Sequence, residues 1–375
     1  LALSAGNDIG VDAAGASSSI DFDVGSFAVS AGGDINLEET GLGGVIVSSA
    51  LPLKSGTISG IAGGGDLDLV THGSLAVTSA ISMTGEISLE VGHHLSLFDP
   101  IESTGGSDIA IRTQGDIALS FNSDDAIVSH GGTISIEAGD AIVDRNGSGL
   151  DLDAGDGLIV IRSGGEIQGL EIAASQLALR AGAGDVLIND TDTTDLEIVE
   201  ATTLLGGVVV TGVSTPGTSV GINVADGSLN IQEDVVSSRD ITLTASQDVV
   251  VGAKVDGGFG AGDEVRITAQ NGDIVNGGGS VEALTVVLSA DDDIGVDTLG
   301  ATSALDFTSN FLTAIAGNDI NLSGTISFST APSGIGDGIQ QQASRMPFLT
   351  EKGLIHHRGF QYGNLQMGNQ PFHRP

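Results

Sequence analysis

Carboxylates are the only side chains with metal-binding or acid–base chemistry that this sequence supplies in number. The chain has 49 Asp and Glu residues against seven His and no Cys. Hard cations such as Ca²⁺ bind six to eight oxygen ligands, so acidic residues that follow glycine turns or stand in a run are the first candidates for a metal site. The candidate ligands are Asp66, Asp68, Asp263, Asp291, Asp292 and Asp293.

The stretches Gly63–Leu69 and Gly257–Asp263 resemble the calcium-binding nonapeptide GGxGxDxUx, in which consecutive repeats supply the ligands. Here the two copies stand alone, and in the second the Asp comes one place late. In the run Asp291–Asp293, only the last residue belongs to a pattern that recurs elsewhere in the chain. We therefore interpret these residues as turn formers with solvated side chains and expect no cofactor. Weak Ca²⁺ binding by the acidic surface is the alternative.

Catalytic constellations are sparse in this sequence. Asp124-Asp125 followed by His130-Gly131 resembles the pattern of polygalacturonases, and hydrolysis of a glycosidic bond uses paired carboxylates. The Arg-x-Lys element with which that family grips an acidic sugar has no counterpart here. We expect no enzymatic activity, and a β-helix carbohydrate-active enzyme, either a polysaccharide lyase or a hydrolase, stays open as an alternative.

Two further groups of residues could suggest a site. His93 and His94 are adjacent, and neighbouring residues on a strand point to opposite faces, so we expect two surface histidines rather than two ligands of one ion. Arg145, Arg162 and Arg180 follow one another at nearly equal intervals along the chain. This spacing could place them on one face of a coil, where we expect a structural ladder.

The charge balance excludes several classes of partner. Twelve basic residues against 49 acidic ones give a net charge of −37. Nucleic acids and anionic membranes need Lys and Arg to replace their counterions, so we expect neither to bind. The longest apolar run, at 283–288, is far shorter than the roughly 20 residues of a membrane-spanning helix. We therefore expect no insertion into a membrane.

Short strands must position these side chains. Apolar-x-apolar triplets recur along the chain, as in Ile35/Leu37, Ile87/Leu89 and Ile241/Leu243, and Gly, Asp, Asn and Ser fill the segments between them. Period-two alternation is typical of strands with one buried face, and those four residue types favour turns. A sandwich, a propeller or a β-solenoid could follow from this pattern. The acidic corners are often 19 to 26 residues apart, which favours a coil over propeller blades of roughly 40–50 residues.

A long-range repeat strengthens this interpretation. Residues 3–22 align without a gap to residues 288–307, with 13 of 20 identical, and the same offset of 285 carries Ala31–Leu37 onto Ala316–Leu322. In a solenoid each turn contacts only its neighbours, so whole turns can be duplicated. The sequence therefore predicts an all-β fold, a right-handed parallel β-helix (β-solenoid) of roughly 15 turns.

The rhythm of strands covers residues 1–332 and stops in the tail 333–375. The first segment has eight basic and 47 acidic residues, a net charge of −39, whereas the tail has four basic and two acidic residues. We expect a β-helix repeat array at 1–332 followed by an irregular, disordered tail at 333–375. Because the chain opens on Leu1 already in the repeat pattern, we also expect a slice of a longer array, with open strand edges that permit end-to-end self-association.

The repeated AGxDI-x-L units and LxLxA strands of residues 1–332 resemble the β-helix repeats of filamentous haemagglutinin-like large exoproteins. This resemblance implies an adhesin or stalk that is secreted or attached to the bacterial outer surface, and hence an extracellular location. It also implies host or neighbour-cell glycans or proteins as partners. The Asn-Pro-Asn motifs of that family's secretion module are not present in this sequence. A spacer without binding activity is the second alternative to an adhesive role.

Overall fold

A computed structural model describes most of the chain. The described residues are 1–10, 18–49, 51–53, 56–120, 127–145, 147, 149–191, 195–217, 219–296, 299, 301–326, 345–351 and 354–357. All regular structure in these ranges is β-strand, and the strands stack in parallel as a solenoid of about 13 turns. The predicted all-β solenoid is confirmed, with slightly fewer turns than the sequence suggests. Within the same ranges, no helix has the length and apolar character needed to cross a membrane.

The first turns contain nineteen short strands. They are β1 (Ala2–Ser4), β2 (Ile20–Phe22), β3 (Ser26–Ser30), β4 (Ile35–Glu39), β5 (Val45–Val47), β6 (Leu51–Leu53), β7 (Gly56–Ile58), β8 (Ile61–Gly63), β9 (Leu67–Thr71), β10 (Leu75–Val77), β11 (Ile81–Met83), β12 (Ile87–Val91), β13 (Leu95–Leu97), β14 (Ile101–Ser103), β15 (Ile109–Thr113), β16 (Ile117–Leu119), β17 (Ile127–Val128), β18 (Ile134–Ala138) and β19 (Ile142–Asp144).

Longer strands occupy the middle of the molecule, and short ones return after them. They are β20 (Leu152–Ser163), β21 (Ile167–Ala181), β22 (Val186–Asp190), β23 (Leu196–Ile198), β24 (Glu200–Thr202), β25 (Val209–Thr211), β26 (Val213–Thr215), β27 (Val220–Val224), β28 (Leu229–Ile231), β29 (Val235–Ser237), β30 (Ile241–Ala245), β31 (Val249–Val251) and β32 (Lys254–Asp256).

The remaining strands complete the array. They are β33 (Glu264–Ala269), β34 (Ile274–Asn276), β35 (Ser280–Glu282), β36 (Thr285–Ala290), β37 (Ile294–Val296), β38 (Leu305–Ser309), β39 (Phe311–Ile315), β40 (Asp319–Ile326), β41 (Arg345–Glu351) and β42 (Leu354–His357).

Three parallel ladders form the faces of the first turns. Five-residue strands make one face, in the order β4, β9, β12, β15 and β18. Three-residue strands make the other two faces, for example β5, β10, β13 and β16, and β8, β11 and β14. The register keeps apolar residues in line, so that Ile35, Leu67 and Ile87 follow one another from turn to turn.

The core is a set of aliphatic ladders inside the coil. Ile35 and Leu37 are fully buried, Asn36 between them is only partly buried, and Ile320 and Leu322 are equally enclosed in a late turn. Full burial of such a side chain contributes on the order of 1.5–3 kcal/mol. Stacking therefore stabilises the fold without large aromatic residues or disulfides. The inward positions predicted for Ile35 and Ile320 are confirmed.

The duplicated block keeps its geometry at both ends of the rod. Gly10 and Gly295, which are equivalent positions of the long-range repeat, have φ angles of +79° and +83°. A Cβ on Gly10 would lie 2.2 Å from the carbonyl oxygen of Asn36, and one on Gly295 would lie 1.8 Å from that of Asn321. Both positions therefore require glycine for its left-handed backbone and for the close approach of the next turn.

The ladders exchange faces in the middle of the rod, at β20–β22. Two of the short-strand ladders combine in β22. Val186 of β22 pairs with Ile167 of β21, and Asp190 of β22 pairs with Ile172 of β21. The long ladder divides in the same turns, since Leu177 pairs with Ile198 and Leu179 with Val213. We call this region, residues 144–215, the seam. After it the ladder of long strands runs through β22, β27, β30, β33, β36 and β39, on the sides that short strands occupied before.

An antiparallel hairpin, β24–β25, lies at the point where the long ladder divides. Its residues Ala201 and Val210 pack on the outward side chains of Val160 and Ala178, which become fully buried. The N–H of Leu204 in the hairpin turn donates a hydrogen bond to Ser135 Oγ over 3.0 Å. The hairpin therefore covers a patch of small outward residues spread over three turns.

The end of the described array has antiparallel partners. β41 pairs with β40, and β42 pairs with β39, both antiparallel. These two strands are the part of the predicted tail 333–375 that the structure describes, and the rest of that segment lies outside the described residues. The boundary at 332 and the irregular character of the tail stay predictions.

Candidate functional site

Aspartates at one corner of the coil connect successive turns. Asp8 Oδ1 accepts a hydrogen bond from the N–H of Asp34 over 3.0 Å, and Asp34 Oδ1 accepts one from the N–H of Asp66 over 3.0 Å. Asp66 Oδ1 in turn accepts the N–H of Glu86 over 2.8 Å. Each carboxylate thus satisfies a backbone donor that the turn leaves without a ladder partner. We call this arrangement the corner-aspartate ladder.

The same ladder recurs near the other end of the rod. Asp248, Asp273 and Asp293 each accept the N–H of the next corner residue, over 2.7–2.8 Å, and the last of these donors is Asp319. Burial raises the pKa of Asp273, the N–H of Asp293 lowers it, and the carboxylates of Asp248 and Asp293 raise it again. Stacked carboxylates therefore repel one another while their hydrogen bonds hold the turns together.

Other corners use the same device. Carboxylates accept the N–H of the next turn at Asp108, Asp116, Asp185, Asp195, Asp234 and Asp240. An aspartate at a corner is thus predominantly a structural residue in this chain. The sequence predicts that these aspartates shape turns, and in the structure they also form hydrogen bonds between turns.

The structure distributes the six predicted metal candidates over separate places. Asp66 and Asp293 belong to the corner-aspartate ladder, and Asp68 points outward from β9 in register with Asn36 and Ser88. Asp292 Oδ1 accepts a hydrogen bond from Asn318 Nδ2 over 2.9 Å, and Asp291 is exposed. These five carboxylates do not converge on one point.

Asp263, the sixth candidate, stabilises its own loop. It is 6% exposed, and its Oδ2 accepts the N–H of Gly260. Residues 260–263 of this loop line a depression together with Arg239 and Asp240. Asp263 therefore closes a local turn, as predicted for these glycine-rich stretches, but its side chain is buried rather than solvated.

A different set of carboxylates does converge, at the seam. Asp144, Asp151 and Glu171 each place a ligand oxygen within 4.8 Å of the other two, and they are the one such group among the described residues. Asp151 is fully buried. Asp144 accepts the N–H of Gly147 at both carboxylate oxygens, and Asn189 Nδ2 donates to Glu171 Oε1 over 3.1 Å. Three carboxylates at this separation could hold a divalent cation.

The electrostatics of this acidic cluster follow from its burial. Burial raises the pKa of Glu171, the hydrogen bond from Asn189 lowers it, and the Asp144 carboxylate raises it. The N–H of Glu171 also donates to Asp151 Oδ2 over 3.2 Å. Sequence reasoning does not find this group because its members come from separate stretches of the chain and lie on different turns. The sequence offers only a weak indication of this cluster: Asp151 and Glu171 each precede an apolar triplet, as the ladder aspartates do.

The arginine ladder differs in one member from the prediction. Arg162 and Arg180 are register neighbours on β20 and β21, and Glu137 and Arg112 continue the same outward line. Arg162 Nη1 lies 3.7 Å from Glu137 Oε2. Arg145, beyond the end of β19, donates its N–H to Leu119 on another face. Glu137 stands between Arg112 and Arg162 on this line, and opposite charges on neighbouring strands are a stabilising arrangement, whereas Arg162 and Arg180 place like charges side by side.

The histidines occupy surface positions. His93 and His94 lie in the turn between β12 and β13 rather than on a strand; both are exposed, and His94 Nδ1 accepts the N–H of Asp116 over 3.1 Å. His130 has a left-handed φ of +51°, and its Nε2 lies 2.9 Å from Glu102 Oε1. Asp124 and Asp125, the other half of the polygalacturonase-like pattern, lie outside the described residues.

Comparisons with known proteins give no relative for this chain. No protein-family model, no curated protein and no solved structure matches it.

Proposed function

We propose that this chain is a non-enzymatic, adhesive stalk segment of a bacterial exoprotein that is secreted or held at the outer cell surface. The observation that supports this proposal is the solenoid of stacked turns. About 13 turns at a strand spacing of about 4.8 Å give a length of about 60 Å, along which outward side chains repeat at the pitch of the coil. A rigid rod with repeated faces suits a spacer that also presents a binding surface.

The outward chemistry of the two halves supports adhesion over a pure spacer. From β15 to β20 the long-strand face alternates charges, at Arg112, Glu137 and Arg162. From β22 to β36, the corresponding outward line has neutral hydroxyl and amide side chains, in register and partly exposed: Asn189, Asn223, Thr244, Thr268 and Ser289. The exposed Ile315 follows them on β39. We call the line from Asn189 to Ser289 the neutral stripe. Hydroxyl and amide groups can exchange hydrogen bonds with the hydroxyls of glycans or with protein surfaces.

A bead-adhesion assay tests the proposal. Beads coated with the full chain should adhere to bacterial or host cells, and adhesion should decrease by about tenfold or more when Thr244→Asp and Thr268→Asp place charges on the neutral stripe. Ser88→Asp, which adds a charge to the outward face of β12, serves as the matched control. Equal adhesion by all three proteins would reject a specific adhesive surface.

The structural part of the proposal is measured separately. Small-angle X-ray scattering of the full chain should give an elongated particle with a long dimension of at least about 60 Å. If the particle has that length but cells do not adhere to it, a spacer without binding activity is the function. If the chain releases products from polyuronides, an enzymatic function replaces the proposal.

A further inference from the structure

A depression after the seam lies between two neighbouring turns, immediately before β30 and β33. Residues 238–240 line one side, and residues 260–263 line the other. Its volume is about 350 Å³, at the lower end of the roughly 300–1,000 Å³ that small-molecule sites occupy. Because β30 and β33 also carry Thr244 and Thr268, the depression lies at one end of strands that form the neutral stripe.

Contacts between the two turns hold the walls of the depression together. A Cβ on Gly258 would lie 2.9 Å from the carbonyl oxygen of Ser238, so the second of the two nonapeptide-like stretches packs directly against the preceding turn. Asp240 Oδ1 accepts the N–H of Glu264 over 2.9 Å. Since Asp263 closes the loop from within, the fold forms the depression before any ligand binds.

Arg239 brings an unpaired positive charge to this depression. Lys254, another basic residue of these turns, is paired with Asp256 over 2.7 Å. Arg266 is paired with Glu264 over 2.7 Å. The guanidinium of Arg239 is exposed and has no ion-pair or hydrogen-bond partner among the residues that the structure describes. On a chain with a net charge of −37, a cation without an internal partner is available to a ligand.

Further hydrogen-bonding groups line the same depression. Asp240 is exposed and uses only Oδ1 for the N–H of Glu264, so its second oxygen can accept another hydrogen bond. The N–H groups of Ala261 and Gly262 donate no hydrogen bond within the described part of the chain. Phe259, in the same loop, is 48% exposed. The site therefore combines donors and an acceptor with an exposed apolar ring.

We propose that this depression binds a neutral hexose unit of a glycan. The guanidinium of Arg239 donates to one hydroxyl of the sugar, and the carboxylate of Asp240 accepts from the neighbouring hydroxyl. Phe259 offers an apolar surface to the C–H groups of the sugar ring. The acidic rod disfavours anionic sugars through its overall charge. The hexose is the ligand class of the adhesive function proposed above, on which the proposal rests.

Sugar titration of the full chain tests this site. The probes are the methyl glycosides of glucose, galactose, mannose and N-acetylglucosamine, and the measurements are saturation-transfer difference NMR and isothermal titration calorimetry. At least one probe should bind with a Kd on the order of 1 mM. Arg239→Ala and Asp240→Asn should each weaken that affinity by about tenfold, as expected for the loss of a hydrogen bond to a charged group. Ala261→Leu should abolish binding, because the larger side chain fills the depression.

Matched control variants separate this site from unspecific effects. Arg145→Ala removes an exposed arginine elsewhere on the rod and should leave the affinity unchanged. Asp234→Asn changes another corner aspartate, which accepts the N–H of Lys254 as Asp240 accepts that of Glu264, and should also have no effect. Glucuronic acid should bind more weakly than the glucose glycoside, because its charge is repelled by the rod.

Three results would overturn the hexose site. They are the absence of binding by all four glycosides, an equal loss of affinity in Arg145→Ala and Arg239→Ala, and tighter binding of glucuronic acid than of the neutral probes. Cell adhesion that depends on Thr244 and Thr268 without any hexose binding would reject the site and leave the adhesive function standing. Hexose binding that Arg239→Ala weakens, without cell adhesion, would support the site and reject the adhesive function.

Discussion

At the scale of single residues, acidic side chains serve three distinct purposes in this chain. The ladder carboxylates, such as Asp34 and Asp66, bond to backbone donors of the next turn. Others, such as Asp68, only point outward. A third group, with Glu39 and Glu171, brings carboxylates into partly or fully buried positions where their pKa values are raised. The acidic side chains behind the net charge of −37 therefore differ in their exposure and in their hydrogen-bond partners.

Two predicted metal candidates provide a matched test of the ladder. Asp66→Ala removes the acceptor for the N–H of Glu86, and we expect it to lower the free energy of unfolding by about 1 kcal/mol. Asp68→Ala changes an outward side chain on the adjoining strand and should stay within about 0.5 kcal/mol. Asp66→Asn keeps an acceptor oxygen and should restore stability. Faster hydrogen exchange of the Glu86 amide in the alanine variant alone would locate the effect, and equal losses in both alanine variants would contradict it.

The acidic cluster at the seam should make stability depend on pH. The folded-state pKa of Glu171 lies above its ordinary value of 4.5, so the folded protein holds that proton more tightly than the unfolded chain does. Stability from this group is therefore greatest at low pH and decreases as the pH rises from about 4.5 through the folded pKa.

Thermal unfolding between pH 5 and pH 8 checks this expectation. Glu171→Gln should raise the Tm at pH 8 and flatten its dependence on pH, because the buried charge is gone. Glu90→Gln, a change on the exposed side of β12, is the control and should leave the slope as it is. A steeper slope in Glu171→Gln would show that the sign is wrong.

At the scale of elements, the seam and its hairpin are the main departure from a regular coil. The long ladder divides between β23 and β26, and the hairpin β24–β25 enters at that division. Small outward side chains at Val160 and Ala178 let the hairpin lie flat on the sheet. An insertion is tolerated at this point because the main ladders continue on both sides of it.

Two adjacent hairpin residues test how the hairpin is held. Val210 is 1% exposed against the sheet, whereas Val209 is 53% exposed. Val210→Asp buries a charge and should detach the hairpin, which limited proteolysis would detect as rapid cleavage within residues 199–212. Val209→Asp should leave the cleavage rate near that of the wild type. Far-UV circular dichroism should change little in either variant, because the main ladders do not depend on the hairpin.

At the scale of the whole molecule, stacking and self-repulsion oppose each other. Burial of aliphatic ladders stabilises every turn, while the net charge of −39 on residues 1–332 destabilises the compact rod. The corner carboxylates hold this charge at a close and regular spacing. Cations in solution therefore contribute to the stability of the rod itself.

Salt should stabilise the protein for this reason. Increasing NaCl from about 10 mM to about 150 mM shortens the Debye length from about 30 Å to about 8 Å, and we expect the Tm to rise as the repulsion is screened. Differential scanning calorimetry of the full chain measures the effect. Sodium sulfate at the same ionic strength should act at least as strongly, and a Tm that decreases with NaCl would contradict the argument.

The sequence by itself determines the repeating unit of this protein. Apolar alternation with a period of two and turn residues at each corner define strands with one inward face, so that Ile35, Leu37 and their counterparts could be assigned to the core. The ungapped long-range repeat also predicts that Gly10 and Gly295 occupy equivalent turns. The strand and turn assignments are local, because each follows from residues close together in the chain.

Only the tertiary structure decides which turns lie side by side and where the register changes. The corner-aspartate ladder, the seam and the cluster of Asp144, Asp151 and Glu171 all join residues of different turns, and the number of residues per turn varies along the chain. A carboxylate that bonds to the next turn and one that points to water have the same sequence neighbourhood. Their difference comes from burial and from the backbone of the adjacent turn, which no local pattern specifies.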